Sequence, residues 1–261
     1  LTMELYDNCS LGDDLELIQG VQLGTLNIIN SVPAYQTLAV PEAALLDAPG
    51  LYSSVEEYNR MMADGYRDVI QKYYQSAGLQ LLSSYAYSFR ELSSTRSVTS
   101  QAGLAGLRLR TMENKYHAAY WRALGAEVLP LTFSEVYIAL QQDVVQAQEN
   151  PLYVLITNNL KDYQKYVIFT KHALMISNFL MNKKQYDALS PENKALLNRC
   201  MEEMQAEMIR KMPEEDMDLE TQLRDTYGLT MLYPDASFRK ELMAAGNTVL
   251  SLLRTDLGDE K

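Results

Sequence analysis

The sequence predicts an α/β protein of two domains joined through a long helix. Three observations carry that expectation. Short apolar runs of strand length alternate with amphipathic stretches of helical period. The alternation breaks off in an arginine-bearing segment near residues 90–110 and then resumes, as it does where a second domain begins. One helical stretch, from residue 191 onward, is longer than a domain of a hundred or so residues is wide.

Residues 2–6 read as a strand, and a polar turn through Gly12, Asp13 and Asp14 leads into an amphipathic helix over 15–23 closed by Gly24. A strand over 26–29 ends at Asn30, Ser31, Val32 and Pro33, and the strand, helix and strand together predict a parallel β-α-β crossover. Met61, Met62, Tyr66, Val69, Ile70 and Tyr73 set a helix over 55–77, stopped by Gly78, with a strand over 79–87 behind it. Residues 107–110 alternate, so a strand there puts Leu107 and Leu109 on one face and Arg108 and Arg110 on the other. A helix over 112–124 ends at Gly125, a strand covers 128–131, Ser134 caps a helix over 135–142, and a strand over 144–147 precedes Gln148, Glu149, Asn150 and Pro151. Ser190-Pro191-Glu192 opens the long helix, whose stripe of Leu197, Met201, Met204, Met208 and Met212 points on toward Gly228. Roughly 38 residues at 1.5 Å each span about 57 Å, so this helix should touch both domains. Pro213 lacks a donor, so a kink near 210–213 is expected if the helix continues through it. A strand over 229–232 and a helix over 237–253 close the chain.

Composition excludes several functions. The 261 residues, 47% apolar, suffice to bury a core, and 34 acidic against 23 basic residues give a net charge of −11 that opposes nucleic-acid binding. No apolar run reaches the roughly 20 residues of a membrane span; the run over 173–181 is broken by Ser177 and Asn178. No signal peptide is visible at the start, which leaves the compartment open. Cys9 and Cys200 are too few for a disulfide scaffold and lack zinc-site spacing. Nucleophile-elbow, phosphate-loop, dinucleotide and H-E-x-x-H motifs are absent, so no enzyme, cofactor or metal is expected. His117 and His172 lack partner ligands and read as structural, and the thirteen methionines mostly as core.

Arg90, Arg96, Arg108 and Arg110 are the informative residues, in a segment whose acids are few: Glu91, then none until Glu113. A guanidinium matches a carboxylate or phosphate with two parallel hydrogen bonds, and ligands of open α/β domains sit beyond the carboxyl ends of strands, where Arg110 and Asn150 fall. Surface salt bridges are the alternative account of the same arginines.

The chain resembles the extracytoplasmic solute receptors of tripartite ATP-independent periplasmic (TRAP) transporters, the DctP-like family. The resemblance rests on Gly106-Leu107-Arg108-Leu109-Arg110, on Ala123-Leu124-Gly125-Ala126 with Pro130, on FSEVYIALQ at 133–141 and on Gln148-Glu149-Asn150-Pro151. Leu11-Gly12-Asp13-Asp14, Pro41-Glu42-Ala43-Ala44, Tyr163-Gln164-Lys165-Tyr166 and Leu189-Ser190-Pro191-Glu192 extend it over nearly the whole chain. It implies a periplasmic-binding-protein-like fold hinged between residues 1–87 plus about 176–214 and residues 88–175 plus about 215–261. It implies that Arg110 grips a substrate carboxylate, with Arg90 as a second cationic contact and Asn150 as an amide contact. Phe133 matches the pocket wall, and Glu149 and His172 match positions near the cleft. Asn30, Ser31 and the segment around Ser177 lie where the family varies its ligand contacts.

The implied function is a periplasmic or membrane-anchored extracellular receptor that closes on a small organic acid and delivers it to TRAP permease subunits. A ligand-sensing module reporting to a signalling partner is the alternative. The family pattern also carries a strand and a long helix ahead of the segment resembling residues 2–6. The chain shows no counterpart of them, which reads as a fragment, a misplaced gene start or a divergent member, and the open sheet edge expected there would favour aggregation or an oligomer such as a dimer.

Overall fold

The computed structural model describes residues 2–7 and 10–258. Helix α1 (Asp14–Leu23) begins where Asp13 accepts the amide of Glu16 and Glu16 in turn accepts the amide of Asp13. It stops at Gly24, whose φ of +81° suits glycine. Strand β1 (Ile28–Ser31) follows, and Pro33 at the first helical position opens the short α2 (Pro33–Gln36). Helix α3 (Ala44–Asp47) leads to α4 (Val55–Met61) and α5 (Arg67–Ser76). The single helix expected over 55–77 is broken at a π-helical turn, Met62–Tyr66, because Gly65 takes a φ of +110°.

The long strand β2 (Leu79–Ser94) is followed by β3 (Arg108–Thr111), α6 (Lys115–Ala123), β4 (Glu127–Pro130), α7 (Val136–Gln141), β5 (Ala147–Asn150) and α8 (Leu152–Thr157). A second long strand, β6 (Tyr166–Asn182), leads into α9 (Lys183–Ala188), the 31-residue α10 (Pro191–Thr221), β7 (Thr230–Leu232) and α11 (Ala236–Leu257). The strands form one sheet in the order β1-β6-β2-β5-β3-β4, with β7 beside β6. β2 and β6 run antiparallel along their length, with register shifts between Leu81 and Ser83, Ala86 and Ser88, and Arg90 and Leu92.

Each end of this strand pair builds its own core. Ile18, Val21, Tyr58, Ile70, Leu81 and Leu180 belong to one, and Leu104, Leu109, Tyr120, Trp121, Phe238 and Val249 to the other. The result is the two-domain α/β architecture of the sequence reading, with β2 and β6 as the shared element. α10 lies against the shared strand pair: Leu197 and Met201 pack on Leu82 and Met181, and Met212 packs on Tyr85 and Tyr87.

Several local expectations are corrected. Residues 2–6 form no strand, and Met3, Leu5 and Tyr6 are exposed, so the predicted parallel crossover does not form; β1 pairs antiparallel with β6 instead. The helix expected from 112 starts at Lys115, because Asn114 accepts the amides of Tyr116 and His117. Thr132, not Ser134, caps the next helical segment, through a reciprocal bond with Glu135. The strand placed over 144–147 lies at Ala147–Asn150, since Val144 and Val145 belong to the turn that follows α7. Asn150 is therefore the last residue of that strand and does not lie beyond it. α10 continues through Pro213 to Thr221, and a π-helical turn at Gln222–Thr226 follows it. No helix among the described residues is long and apolar enough to cross a membrane.

Candidate functional site

Arg90 leaves β2 where that strand pairs with both β5 and β6, in registers that set Leu92 opposite Glu149 and Arg90 opposite Ala173. Its guanidinium is 3% exposed and already paired. Nε donates to Oε2 of Glu149 at 2.5 Å, and Nη2 donates to Oε1 of Glu149 at 3.1 Å, to the Glu149 carbonyl at 2.6 Å and to Oδ1 of Asn150 at 2.9 Å. Glu149 also accepts from Thr111 Oγ1 at 3.2 Å and lies 3.0 Å from Nε2 of His172. Burial acts to raise its pKa, but the adjoining Arg90 charge and the hydrogen bonds from His172 and Arg90 overcome it and hold the carboxyl well below the usual range.

Burial holds the His172 imidazole below its usual pKa, against the opposing pull of Glu149, so the ring is neutral near pH 7. A carboxylate only accepts, so Nε2 carries the proton and Nδ1 accepts from Thr170 Oγ1 at 2.9 Å. Tyr120 and Trp121 hold the ring in place, at centroid distances of 5.7 and 4.8 Å. Together these residues form a closed, internally neutral cluster.

Arg110 is different. It leaves β3 opposite Gln148 of β5 and Leu129 of β4, and its side chain is wholly buried. Nε and Nη2 donate to the carbonyl of Leu131 at 2.9 and 2.6 Å, and Nη2 donates to the Tyr35 hydroxyl at 3.2 Å. The Phe133 ring lies over the guanidinium, its centroid 6.0 Å away. Nη1 is buried without a hydrogen-bond partner, and among the described residues no carboxylate lies within ion-pair distance of Arg110. A buried, uncompensated guanidinium is costly, and a carboxylate is its natural complement.

Tyr35 and Phe133, the two rings beside that guanidinium, line a cavity of about 280 Å³ together with Asp14, Glu113 and Thr132. Burial pushes the Asp14 carboxyl up, and a hydrogen bond from Ser31 Oγ at 2.9 Å opposes the shift. A larger and more open depression of about 440 Å³ lies by Lys161 and Tyr227. Lys161 there is held by Asn159 and Asp162, and Lys165 is solvent-exposed, so that depression holds no buried cation without a partner, and the site is assigned to the cavity beside Arg110.

The structure brings Arg90, Glu149, Asn150 and His172 into one cluster and sets Arg110 beside Phe133. Asn30 accepts from Ser177 Oγ at 2.6 Å across the β1–β6 pair, and Ser31 is tied to Asp14. The four arginines divide: Arg96 donates to the carbonyls of Gly103 and Ala105 and Arg108 pairs with exposed Asp143, the bland surface role, whereas Arg90 and Arg110 are buried. Sequence reasoning missed Tyr35, Asp14 and the Leu131 carbonyl. Only Asp14 had a signal, as the last residue of Leu11-Gly12-Asp13-Asp14. No group of three or more His, Cys, Asp or Glu side chains placed to hold a metal occurs among the described residues, Cys200 is exposed and unpaired, and Cys9 lies outside the described residues.

Comparison with known proteins identifies the family. Residues 1–254 match DctP, described as bacterial extracellular solute-binding protein, family 7. A solute-binding protein of Verminephrobacter eiseniae is 34% identical over 190 residues, which are 72% of this chain and 56% of that protein. The sialic acid-binding periplasmic protein SiaP of Vibrio cholerae is 26% identical over 244 residues, 93% of this chain and 76% of its own length. A TRAP periplasmic solute-binding protein of Roseobacter denitrificans, solved with bound L-galactonate, superposes with a TM-score of 0.90 at 27% identity, over 98% of this chain and 84% of that one. The chain thus spans just over half the length of some of the curated relatives it matches.

Proposed function

The chain belongs to the bacterial extracellular solute-binding proteins of family 7, and we propose from that premise that it is a TRAP-type receptor for a small hydroxylated organic acid, delivered to a membrane permease. The observation that carries this reading is Arg110, buried and without a counter-charge. The charge count of the site refines it. Arg90 and Glu149 cancel and His172 is neutral, so Arg110 is the cation left for a ligand carboxylate, and the Asp14 carboxyl across the cavity, which already feels the Arg110 charge, disfavours a second anionic group. Asp14 and Thr132 in the cavity lining, with Ser31 bonded to Asp14, offer hydroxyl-binding groups. Similar proteins carry acids of this kind: L-galactonate in the Roseobacter structure, and D-erythronate in one from Polaromonas that is 25% identical with a TM-score of 0.89.

The hinge of this reading lies in β2 and β6, with residues 1–87 plus about 176–214 moving against 88–175 plus about 215–261. The register shift between Ala86 and Ser88, opposite Ile176 and Met175, falls at those boundaries and supports them. The site is periplasmic in this reading, and the family consists of binding proteins, not enzymes.

The test is a thermal-shift screen against aldonates, uronates, sialic acid, C4-dicarboxylates and keto acids, on the protein and on Arg110→Met. Ligand at a thousand times its Kd adds about 4 kcal/mol, a rise of roughly 8–16 °C at about 2–4 °C per kcal/mol. The rise is expected for a hydroxylated monocarboxylate and is lost in Arg110→Met, whose unliganded form melts no lower than the parent. A rise that survives the substitution removes Arg110 from the site.

A further inference from the structure

Tyr35 stands where the two halves of the cavity meet. It packs against the core that contains Ile18 and Leu81, whereas Arg110 adjoins the core that contains Leu109 and Trp121. The backbone that carries Tyr35 is fixed from both sides: the Ala34 amide donates to Asp47 Oδ2 at 2.8 Å, and the Ala34 carbonyl accepts from Asn114 Nδ2 at 2.8 Å. Pro33 at the start of α2 restricts the turn that leads to it. The ring is therefore held by its neighbours in the unliganded protein.

The hydroxyl of Tyr35 has a one-sided hydrogen-bond account. Its oxygen accepts from Nη2 of Arg110 at 3.2 Å, and its own hydrogen has no acceptor among the described residues. Nη1 of the same guanidinium likewise lacks an acceptor. Two unused donors thus lie on bonded neighbours at one edge of a cavity that Tyr35 itself lines. Burial pushes the phenol up in pKa, so it keeps its hydrogen throughout the physiological range. Accepting a hydrogen bond from a cation polarises the phenol and strengthens the bond it can donate in turn.

We propose that Tyr35 is a ligand-contacting residue, which donates its phenolic hydrogen to one oxygen of the bound carboxylate while Nη1 of Arg110 donates to the other. Each lobe then supplies one of the two donors, and the full grip exists only when the lobes are closed. The arrangement needs two acceptor oxygens on one planar centre, which a carboxylate offers. The inference rests on the receptor reading above, and it assigns to Tyr35 the part of the affinity that depends on closure.

The test compares the protein with Tyr35→Phe, using the acid that gives the largest shift in the screen, by calorimetric titration and stopped-flow release. Phenylalanine keeps the ring and its packing and removes only the hydroxyl. Loss of a hydrogen bond to a charged group predicts binding weakened by about 10- to 100-fold, mostly as faster release, with the unliganded melting temperature unchanged. Affinity within twofold of the parent overturns the proposal, and tighter binding overturns it in favour of a phenol that competes with the ligand for Arg110. If the unaltered protein binds none of the acids, the receptor reading itself fails, an outcome distinct from either.

Discussion

Glu149→Gln tests the account of the Arg90 cluster most directly. The substitution keeps size, exchanges one acceptor oxygen for an NH2 and removes one negative charge from a position with no solvent exposure. Arg90, 3% exposed, then holds its charge against an amide. Breaking a buried pair by removing one partner costs about 3–5 kcal/mol, because the remaining ion is desolvated and uncompensated. At roughly 2–4 °C per kcal/mol, the unliganded melting temperature falls by about 6–20 °C. Removing both charges should cost less than removing one, since the amide oxygen introduced at position 149 can still accept from His172, and its NH2 can donate to the Thr111 hydroxyl, while the ion at position 90 is gone. Arg90→Met combined with Glu149→Gln is therefore expected to recover much of the loss, a coupling of about 2–3 kcal/mol. Urea denaturation of the four proteins of the cycle measures it. A single-variant loss under about 1 kcal/mol, or additive losses in the double variant, would refute the buried-pair reasoning.

Two further expectations concern other parts of the fold. Glu91, next to Arg90 on β2, is 4% exposed; burial, with Asp216 adding to it, pushes its pKa up to about 8, against the Lys171 amide and the Lys171 and Arg239 charges. The folded protein thus holds a proton that the unfolded chain releases near 4.3, so this group's contribution is full below that value and declines as pH rises toward about 8. Glu91→Gln cannot ionise, so its stability relative to the parent should grow between pH 5 and 8, as read from urea midpoints; parallel curves sink the assignment. Gly50 has a φ of +84°, and a Cβ there would sit 2.7 Å from Cα of Gly246. Gly50→Ala should cost about 1–3 kcal/mol or more, seen as a lower melting temperature, and an unchanged one would contradict the close packing of α11 on this loop.

The α/β class, the two lobes and the long helix were legible because period and punctuation agree there: Gly24 and Gly78 stop elements, and Ser190-Pro191 starts one. The central strand β6 was not, and the reason is physical. Its positions include Thr170, Lys171, His172, Ser177 and Asn178, and most are buried all the same, because they bond within the site and beside it. A polar residue that serves a site breaks the apolar pattern by which a buried strand is recognised. The same limit applies to the site. Arginine spacing pointed to Arg90 and Arg110, and the resemblance ranked them as grips of one ligand, but nothing in the order of residues shows that Glu149 neutralises the first and that the second has no counter-charge. Tyr35 carried no motif, since its role depends on α2 meeting β3 across the cavity, 75 positions apart in sequence.

The unequal treatment of the two arginines accounts for how a receptor of this kind would respond to its ligand. Arg90 with its partner forms a neutral pair that ties β2, β5 and β6 together beside the proposed hinge. Arg110 lies buried between the Leu131 carbonyl and the Tyr35 hydroxyl, and in the proposed closure a guanidinium leaves water with that carbonyl and that phenol as its hydrogen-bond partners. That desolvation disfavours closure of the empty protein. An anion on Nη1 turns the same burial into a favourable contact, in a medium of low dielectric where the attraction is strong. A ligand shifts a conformational equilibrium only by its differential affinity for the two states, and here the differential lies in one uncompensated charge. Under the proposed reading, neutral analogues of the right shape would fill the cavity but leave that cost in place, and closure itself would discriminate for the carboxylate.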